Sequence, residues 1–368
     1  METPKAMSFW TKQLTIIILV LTASQSAFSQ TDKVDLFIKN KMKEKKIVGL
    51  QLAIIKNNKI VMTGNYGLAN VQDSVPVDVN TVFPINSMTK AFTGVAVMQL
   101  VEEGKINLQY PVSAYLDSLP ATWQNVTIQQ IASHISGIPN IFDDEANMIA
   151  GSYEASWEKV KVLPNDFKPG EQFSYNQTNY LLLGKIIEKV SGMSFQDYIS
   201  KNQFEKTGML NTTKAGFCDF YDVAKHSARC YTYFRNDNLT NLYEVFPSNV
   251  RTAAGMYSTA KEIAQWVIAL QGKQLLKKEE MLTTLWTPAI LNNGKTSGFG
   301  DILNGYAIGW LTVTRPKLPA YASVGGGRSA LFIYPKENLS IIVLTNLQGA
   351  TPEDFIDDIA NLYINGNK

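Results

Sequence analysis

The position of the strand-like runs along the chain is the feature that most restricts its fold. Leu50–Ile55 and Ile60–Tyr66 flank a polar turn, Lys56-Asn57-Asn58-Lys59, and read as a β-hairpin whose asparagines tolerate positive φ. Strand patterning then disappears for more than two hundred residues. It returns near the C-terminus as Tyr306–Val313, Tyr321–Val324, Ala330–Tyr334 and Leu339–Thr345. Helical patterns lie between and after: Ser87–Glu103 ended by Gly104, Tyr180–Val190 closed by Ser191-Gly192, Thr259–Leu270, and a terminal Pro352–Tyr363. The spacing therefore predicts an α+β fold whose sheet is assembled from both chain ends, with a mainly helical insertion over about 105–255. No repeat or low-complexity linker interrupts it, and 368 residues suit one large domain with two lobes.

Composition removes several function classes. Thirty-four Lys and Arg oppose 32 Asp and Glu, a net charge of +2 with no basic stripe, so nucleic-acid binding has no electrostatic basis. Two histidines and two cysteines are too few for a zinc cluster, and no metal or other cofactor is expected. Any Ser-His-Asp triad would have to use His134 or His226.

The N-terminus reads as an export signal. Lys5 and Lys12 precede an apolar run from Leu14 to Ala23, and Ala27-Phe28-Ser29 has a small-x-small cleavage pattern. The run is too short for a membrane span, which needs about 20 residues. The expectation is a signal peptide over 1–29, a single domain over 30–368 with a net charge of +1, and a periplasmic or secreted protein without a stable membrane span. Export would permit a Cys218–Cys230 bridge, but two reduced thiols fit equally well.

Three segments carry the S-x-x-K pattern: Ser87–Lys90, Ser156–Lys159 and Ser258–Lys261. For the third, Thr259 with Glu262 three residues on has the form of a capping box. Ser156 and Lys159 fall in a polar stretch expected at the surface. Ser87 instead opens a helix that is apolar nearly all round, where a lysine one turn in is costly unless it has a purpose. Residues three apart share a helix face, so Lys90 can reach the Ser87 hydroxyl. Burial would lower its pKa enough to make it a base, which a serine nucleophile requires. On this segment alone, an N-capping Ser87 with a solvated Lys90 remains equally open.

Further segments decide between them. The run from Lys168 to Gly184, containing Tyr175-Asn176-Gln177, resembles the tyrosine-motif stretch of serine β-lactamase-like hydrolases. Ser133-His134-Ile135-Ser136-Gly137-Ile138-Pro139 resembles that family's H-T-S-G-L-P segment. Gly208-Met209, Ala254–Ala260, Tyr306–Trp310 and Val343–Asn346 resemble further stretches in the right order. The chain is thus similar to the class C β-lactamase group, which includes D-alanyl-D-alanine carboxypeptidases and esterases. The resemblance implies an α/β/α sandwich with an antiparallel sheet, Ser87 as nucleophile, Lys90 as base and Tyr175 in proton transfer. It also implies that a charged Lys90 lowers the Tyr175 pKa, and that His134 is structural, bonding backbone.

Two departures from the family pattern bear on specificity. The tyrosine motif ends in Gln177 instead of asparagine, which would move a substrate-binding amide by one methylene. The third motif, K-T-G or H-x-G, falls within Ser323–Gly327 with a register open by one residue, and neither Ser323 nor Val324 is basic. A backbone N–H near Gly326 would complete the oxyanion hole, and Arg328 would be the substitute cation for a substrate carboxylate. Lys295-Thr296-Ser297-Gly298 looks like an interrupted K-T-G but lies in a loop ahead of the expected strand. The expectation is a serine hydrolase for an ester, amide or D-amino-acid peptide, with efficient β-lactamase activity disfavoured. The other reading is a weakened cell-wall-peptide-binding protein. A small molecule or peptide is the expected partner, and the sequence leaves the oligomeric state open.

Overall fold

The computed structural model describes residues 30–365 apart from 146, 220 and 236, so the expected signal peptide lies outside the described residues. Eight antiparallel strands form the main sheet, in the spatial order Val75–Pro76, Lys59–Asn70, Gly49–Lys56, Leu339–Thr345, Ser329–Tyr334, Ala320–Gly325, Leu311–Val313 and Gly305–Tyr306. The two chain ends meet in its middle, where Leu50 stands opposite Thr345 and Lys56 opposite Leu339. The hairpin tip turns through Asn57 and Asn58 at φ 50° and 60°, as two asparagines permit.

Both faces of the sheet are covered. All seven residues of Leu339–Thr345 are buried, with Ile342 and Leu344 on one face and Ile341 and Val343 on the other. The first face packs against helices Thr89–Glu102, Ala260–Gln271 and Glu279–Trp286. The second packs against Val34 and Ile38 of a helix over 30–44 and against Ile356, Ile359 and Ala360 of the terminal helix Ile356–Asn365. Double coverage explains why these strands read as continuous apolar runs without polar alternation. The expected sandwich is therefore present.

The Thr89–Glu102 helix follows a 3-10 turn over Asn86–Met88 and is buried at every position from Thr89 to Leu100. The sequence predicts a single strand over Tyr306–Val313, and here the structure differs. The segment folds back on itself, so that Tyr306 pairs with Leu311. Gly309 causes the break. Its φ is +78°, and a Cβ there would lie 2.2 Å from the Lys90 carbonyl oxygen. Gly309→Ala should therefore cost about 3 kcal/mol or more, from left-handed strain plus that clash. A urea titration checks it; an unchanged midpoint would show that the turn relaxes freely.

Two further sequence expectations need amendment. Ser156 is fully buried, its Oγ accepting from Ala150 N at 2.9 Å, while Lys159 donates to the Ile149 carbonyl at 2.8 Å. Both tie one loop to the Tyr153–Val162 helix. Thr259 does cap its helix, accepting from Glu262 N at 3.1 Å. The Glu262 carboxylate turns away, however, to accept from Asn211 N and Thr212 N, so only half of a capping box forms. The 105–255 insertion also holds a small hairpin, Tyr231–Arg235 with Asn238–Asn241, among its helices.

Candidate active site

Ser87 sits in the 3-10 turn at the mouth of the buried helix and is half-buried. The turn is anchored on one side by Phe83–Pro84, paired with Tyr257–Ser258. On the other side the strand Ala320–Gly325 ends directly against it. A Cβ on Gly325 would stand 2.1 Å from the Ile85 carbonyl and 2.9 Å from Ser87 N, so only glycine permits this approach.

Lys90 is 1% exposed and its Nζ lies 3.4 Å from Ser87 Oγ. The same nitrogen donates to Gln177 Oε1 at 2.8 Å and to the Ala253 carbonyl at 2.9 Å. Burial holds its pKa well below that of an ordinary lysine. A neutral amine has two hydrogens and one lone pair. With both hydrogens committed to Gln177 and Ala253, the lone pair is left for the Ser87 hydroxyl. The rings of Tyr175 and Tyr180 lie 4.6 and 5.2 Å from the amine.

Tyr175 is carried just ahead of the Gln177–Ser191 helix. Asn176 caps that helix, accepting from Asn179 N at 3.1 Å and donating to the Ile138 carbonyl. His134 completes the support: its Nδ1 accepts from Asn176 N at 3.1 Å and its carbonyl accepts from Ser174 N at 2.9 Å. Its ring packs 4.5 Å from that of Tyr175. Burial, and then the neighbouring Lys90, push the imidazole pKa well below its usual value, which keeps it neutral. His134 thus bonds backbone and packs, and its ring nitrogen is already occupied on the side that faces Asn176.

The Tyr175 hydroxyl has the side chains of Ser87 and Gln177 as its polar neighbours. Those two contacts favour the phenolate, but burial outweighs them and the pKa is raised. The expectation of a lowered value is therefore corrected: desolvation of the buried hydroxyl dominates its neighbours. Gln177, expected to touch substrate, stands in the site with its side-chain carbonyl accepting from Lys90 Nζ.

A narrow pocket opens beside Ser87 and Tyr175, walled by Phe299, Tyr306, Leu311, Ser323 and Val324. Both third-motif candidates reach it, but Ser323 is almost wholly buried and Val324 is half-buried. None of the residues lining it is charged. Arg328 is the clear correction. Its side chain has no exposed surface and its guanidinium pairs with Glu244, because so deeply buried a cation needs a counter-charge. It is not presented to the pocket. The Lys295–Gly298 segment is an exposed or half-exposed loop, as expected for a chance match. Phe299, immediately after it, was missed: its ring meets that of Tyr175 edge-on at 5.0 Å. No periodicity or motif marks an aromatic in a glycine-rich loop as part of a site. Cys218 and Cys230 stand as separate thiols.

A helical lobe and a doubly covered antiparallel sheet that bring a buried S-x-x-K lysine, a serine and a motif tyrosine together define a serine-hydrolase type of fold. Residues 34–365 match the beta-lactamase family profile, and the chain belongs to that family. Among curated proteins it is 26% identical over 342 residues to protein flp of Staphylococcus aureus, covering 90% of this chain and 66% of that protein. It is 27% identical over 314 residues to penicillin-binding protein 4* of Bacillus subtilis, covering 78% of this chain and 65% of the relative. The chain spans about two thirds of the length of these relatives. Among solved structures, a penicillin-binding protein from Bacillus halodurans superposes with a TM-score of 0.71 at 28% identity, covering 88% of this chain and 99% of that one. An octameric penicillin-binding protein homologue from Pyrococcus abyssi gives 0.76 at 25% identity, with 91% and 77% covered. No helix among the described residues is long and apolar enough to cross a membrane.

Proposed function

We propose that this chain is an exported, single-domain serine hydrolase that forms an acyl-enzyme on Ser87 and acts on an ester, amide or D-amino-acid peptide. The observation that carries this reading is the Lys90 geometry: a buried amine 3.4 Å from Ser87 Oγ that is also bonded to the Gln177 and Ala253 oxygens, so that its neutral form would turn its lone pair to Ser87. Lys90 Nζ takes the Ser87 proton as Oγ bonds to the substrate's acyl carbon. Negative charge develops on the former carbonyl oxygen, where the Ser87 N–H and an N–H of the Gly326 turn are the proposed donors. The bond to the leaving group breaks as Tyr175, relayed from Lys90, returns that proton to the leaving oxygen or nitrogen. Water then repeats the sequence, giving its proton to the same pair and its oxygen to the acyl carbon, and Ser87 is released. The bare third motif favours a second reading, a peptide-binding protein of the same fold. Intact-protein mass spectrometry after exposure to esters, D-Ala-D-Ala peptides and β-lactams separates the two. An acyl adduct that is lost on standing supports the hydrolase; no adduct with any of them overturns it.

The uncharged pocket sets an expected preference. A charge-assisted hydrogen bond to a substrate carboxylate contributes about 1.5–3 kcal/mol, or roughly tenfold to a hundredfold in transition-state binding. With Arg328 committed to Glu244, nothing lining the pocket supplies that bond. Short uncharged esters should therefore show higher kcat/KM than carboxylate-bearing β-lactams. The half-buried Val324 can accept a long side chain where the buried Ser323 cannot, so Val324→Lys should narrow the gap by about tenfold or more. Efficient β-lactam turnover by the parent would defeat the carboxylate argument.

A further inference from the structure

The Arg328–Glu244 pair reaches the nucleophile from behind. The Glu244 carboxylate, whose side chain is 26% exposed, also accepts from Asn86 Nδ2, at 3.2 Å to Oε1 and 3.3 Å to Oε2. Asn86 directly precedes Ser87, and its φ is +48°. That left-handed conformation is unfavourable for any side chain, though least so for asparagine, and it persists only where neighbours hold it. The neighbours here converge on one amide. Gly326 closes over it so tightly that a Cβ would lie 2.8 Å from Asn86 Nδ2 and 3.2 Å from the Arg328 guanidinium. Ser329 Oγ donates to the Ile85 carbonyl at 2.9 Å, fixing the preceding residue.

The peptide plane between Asn86 and Ser87 carries the Ser87 N–H, so whatever locks Asn86 also aims that N–H. We propose that Glu244 is a positioning residue for acylation: bridging Arg328 to Asn86, it fixes the peptide that presents the Ser87 N–H to the developing oxyanion. The inference rests on Ser87 being the acylated residue. Arg328, on the turn that follows the third-motif strand, ties the two proposed oxyanion donors to one carboxylate. Against this stands a plainer role, in which Glu244 only neutralises a buried guanidinium and Asn86 is a bystander.

Three variants separate the roles, read by kcat and KM for p-nitrophenyl acetate and by melting temperature. Asn86→Gly leaves the ion pair intact and keeps left-handed φ accessible, but removes the amide that Glu244 holds. Glu244→Leu with Arg328→Met replaces the buried pair by apolar groups, an exchange that is often neutral or stabilising. Glu244→Gln with Arg328→Met is equally uncharged but keeps an oxygen for Asn86. The expected result is a fall in kcat of roughly 10- to 100-fold in the first two, less than the loss of a whole oxyanion donor. KM should hold, and the glutamine pair should restore kcat to within about threefold of the parent. Parent-like kcat in Asn86→Gly overturns the proposal. So does equal loss in the two Arg328→Met pairs, which would leave Glu244 as a counter-ion only. A parent that forms no acyl-enzyme overturns the Ser87 reading and takes this inference with it. A parent that acylates while folded Asn86→Gly matches it overturns this inference alone.

Discussion

Ser87→Ala is expected to take no covalent label from a fluorophosphonate, while Ser156→Ala and Ser258→Ala label at the parent rate. The three serines share a sequence pattern but not a chemical setting. Ser258 Oγ lies 2.7 Å from Thr212 Oγ1 inside the protein, and its pattern partner Lys261 is exposed on the next helix. Ser156 is spent on the Ala150 amide and Lys159 on the Ile149 carbonyl. Neither hydroxyl faces an amine that can take its proton. Only Ser87 has a desolvated lysine on one side, a tyrosine hydroxyl on the other and an open pocket in front. Without an activated nucleophile a phosphonyl adduct has no route to form, so the expected effect is complete loss. The substitution removes one half-buried hydroxyl, so the variant should melt close to the parent, keeping lost labelling separate from lost folding. If Ser258→Ala alone lost the label while remaining folded, the nucleophile would have been assigned to the wrong segment.

The features that were legible in the sequence are those written locally. The hairpin tip needs two residues that tolerate positive φ, and Asn57-Asn58 supplies them. The helix start at Thr259 and the stop at Gly192 each depend on one residue and its near neighbours, whereas the helix read from Tyr180 begins at Gln177, capped by Asn176. The all-round apolar character of Ala91–Leu100 announced a buried helix, and the helix made Lys90 conspicuous. Most of the failures depend on partners distant in sequence. Arg328 is 84 residues from Glu244, and nothing near either one indicates that they pair. The apolar run from Tyr306 to Val313 conceals a turn because Gly309 answers to the Lys90 carbonyl, a contact invisible to periodicity. The direction of the Tyr175 shift was not legible because the burial that dominates it is set by the whole pocket.

Lys90→Met should slow acylation by roughly 10²–10⁴-fold, the usual contribution of a positioned base. The pH dependence makes the test specific. Burial lowers the Lys90 pKa well below 10.5, so the neutral fraction rises with pH through a value far under that of a free lysine. In the parent, the acylation rate should climb with pH and level off once the amine is neutral, well before pH 10. In Lys90→Met that limb should vanish, leaving a slow rate without it. Lys90→Arg should be equally slow, since a guanidinium stays protonated throughout and has no lone pair to offer Ser87. The arginine result matters because it keeps a cation near Tyr175 while removing the base. Substantial activity there would mean that positive charge, not proton transfer, is what Lys90 contributes. His134 is poorly placed to compensate in either variant, with its Nδ1 accepting the Asn176 amide and its ring held among Tyr175, Tyr180 and Tyr306. A parent-like rate and an unchanged pH limb in Lys90→Met would therefore place the base outside this cluster and remove the central support for a Ser87 acyl-enzyme.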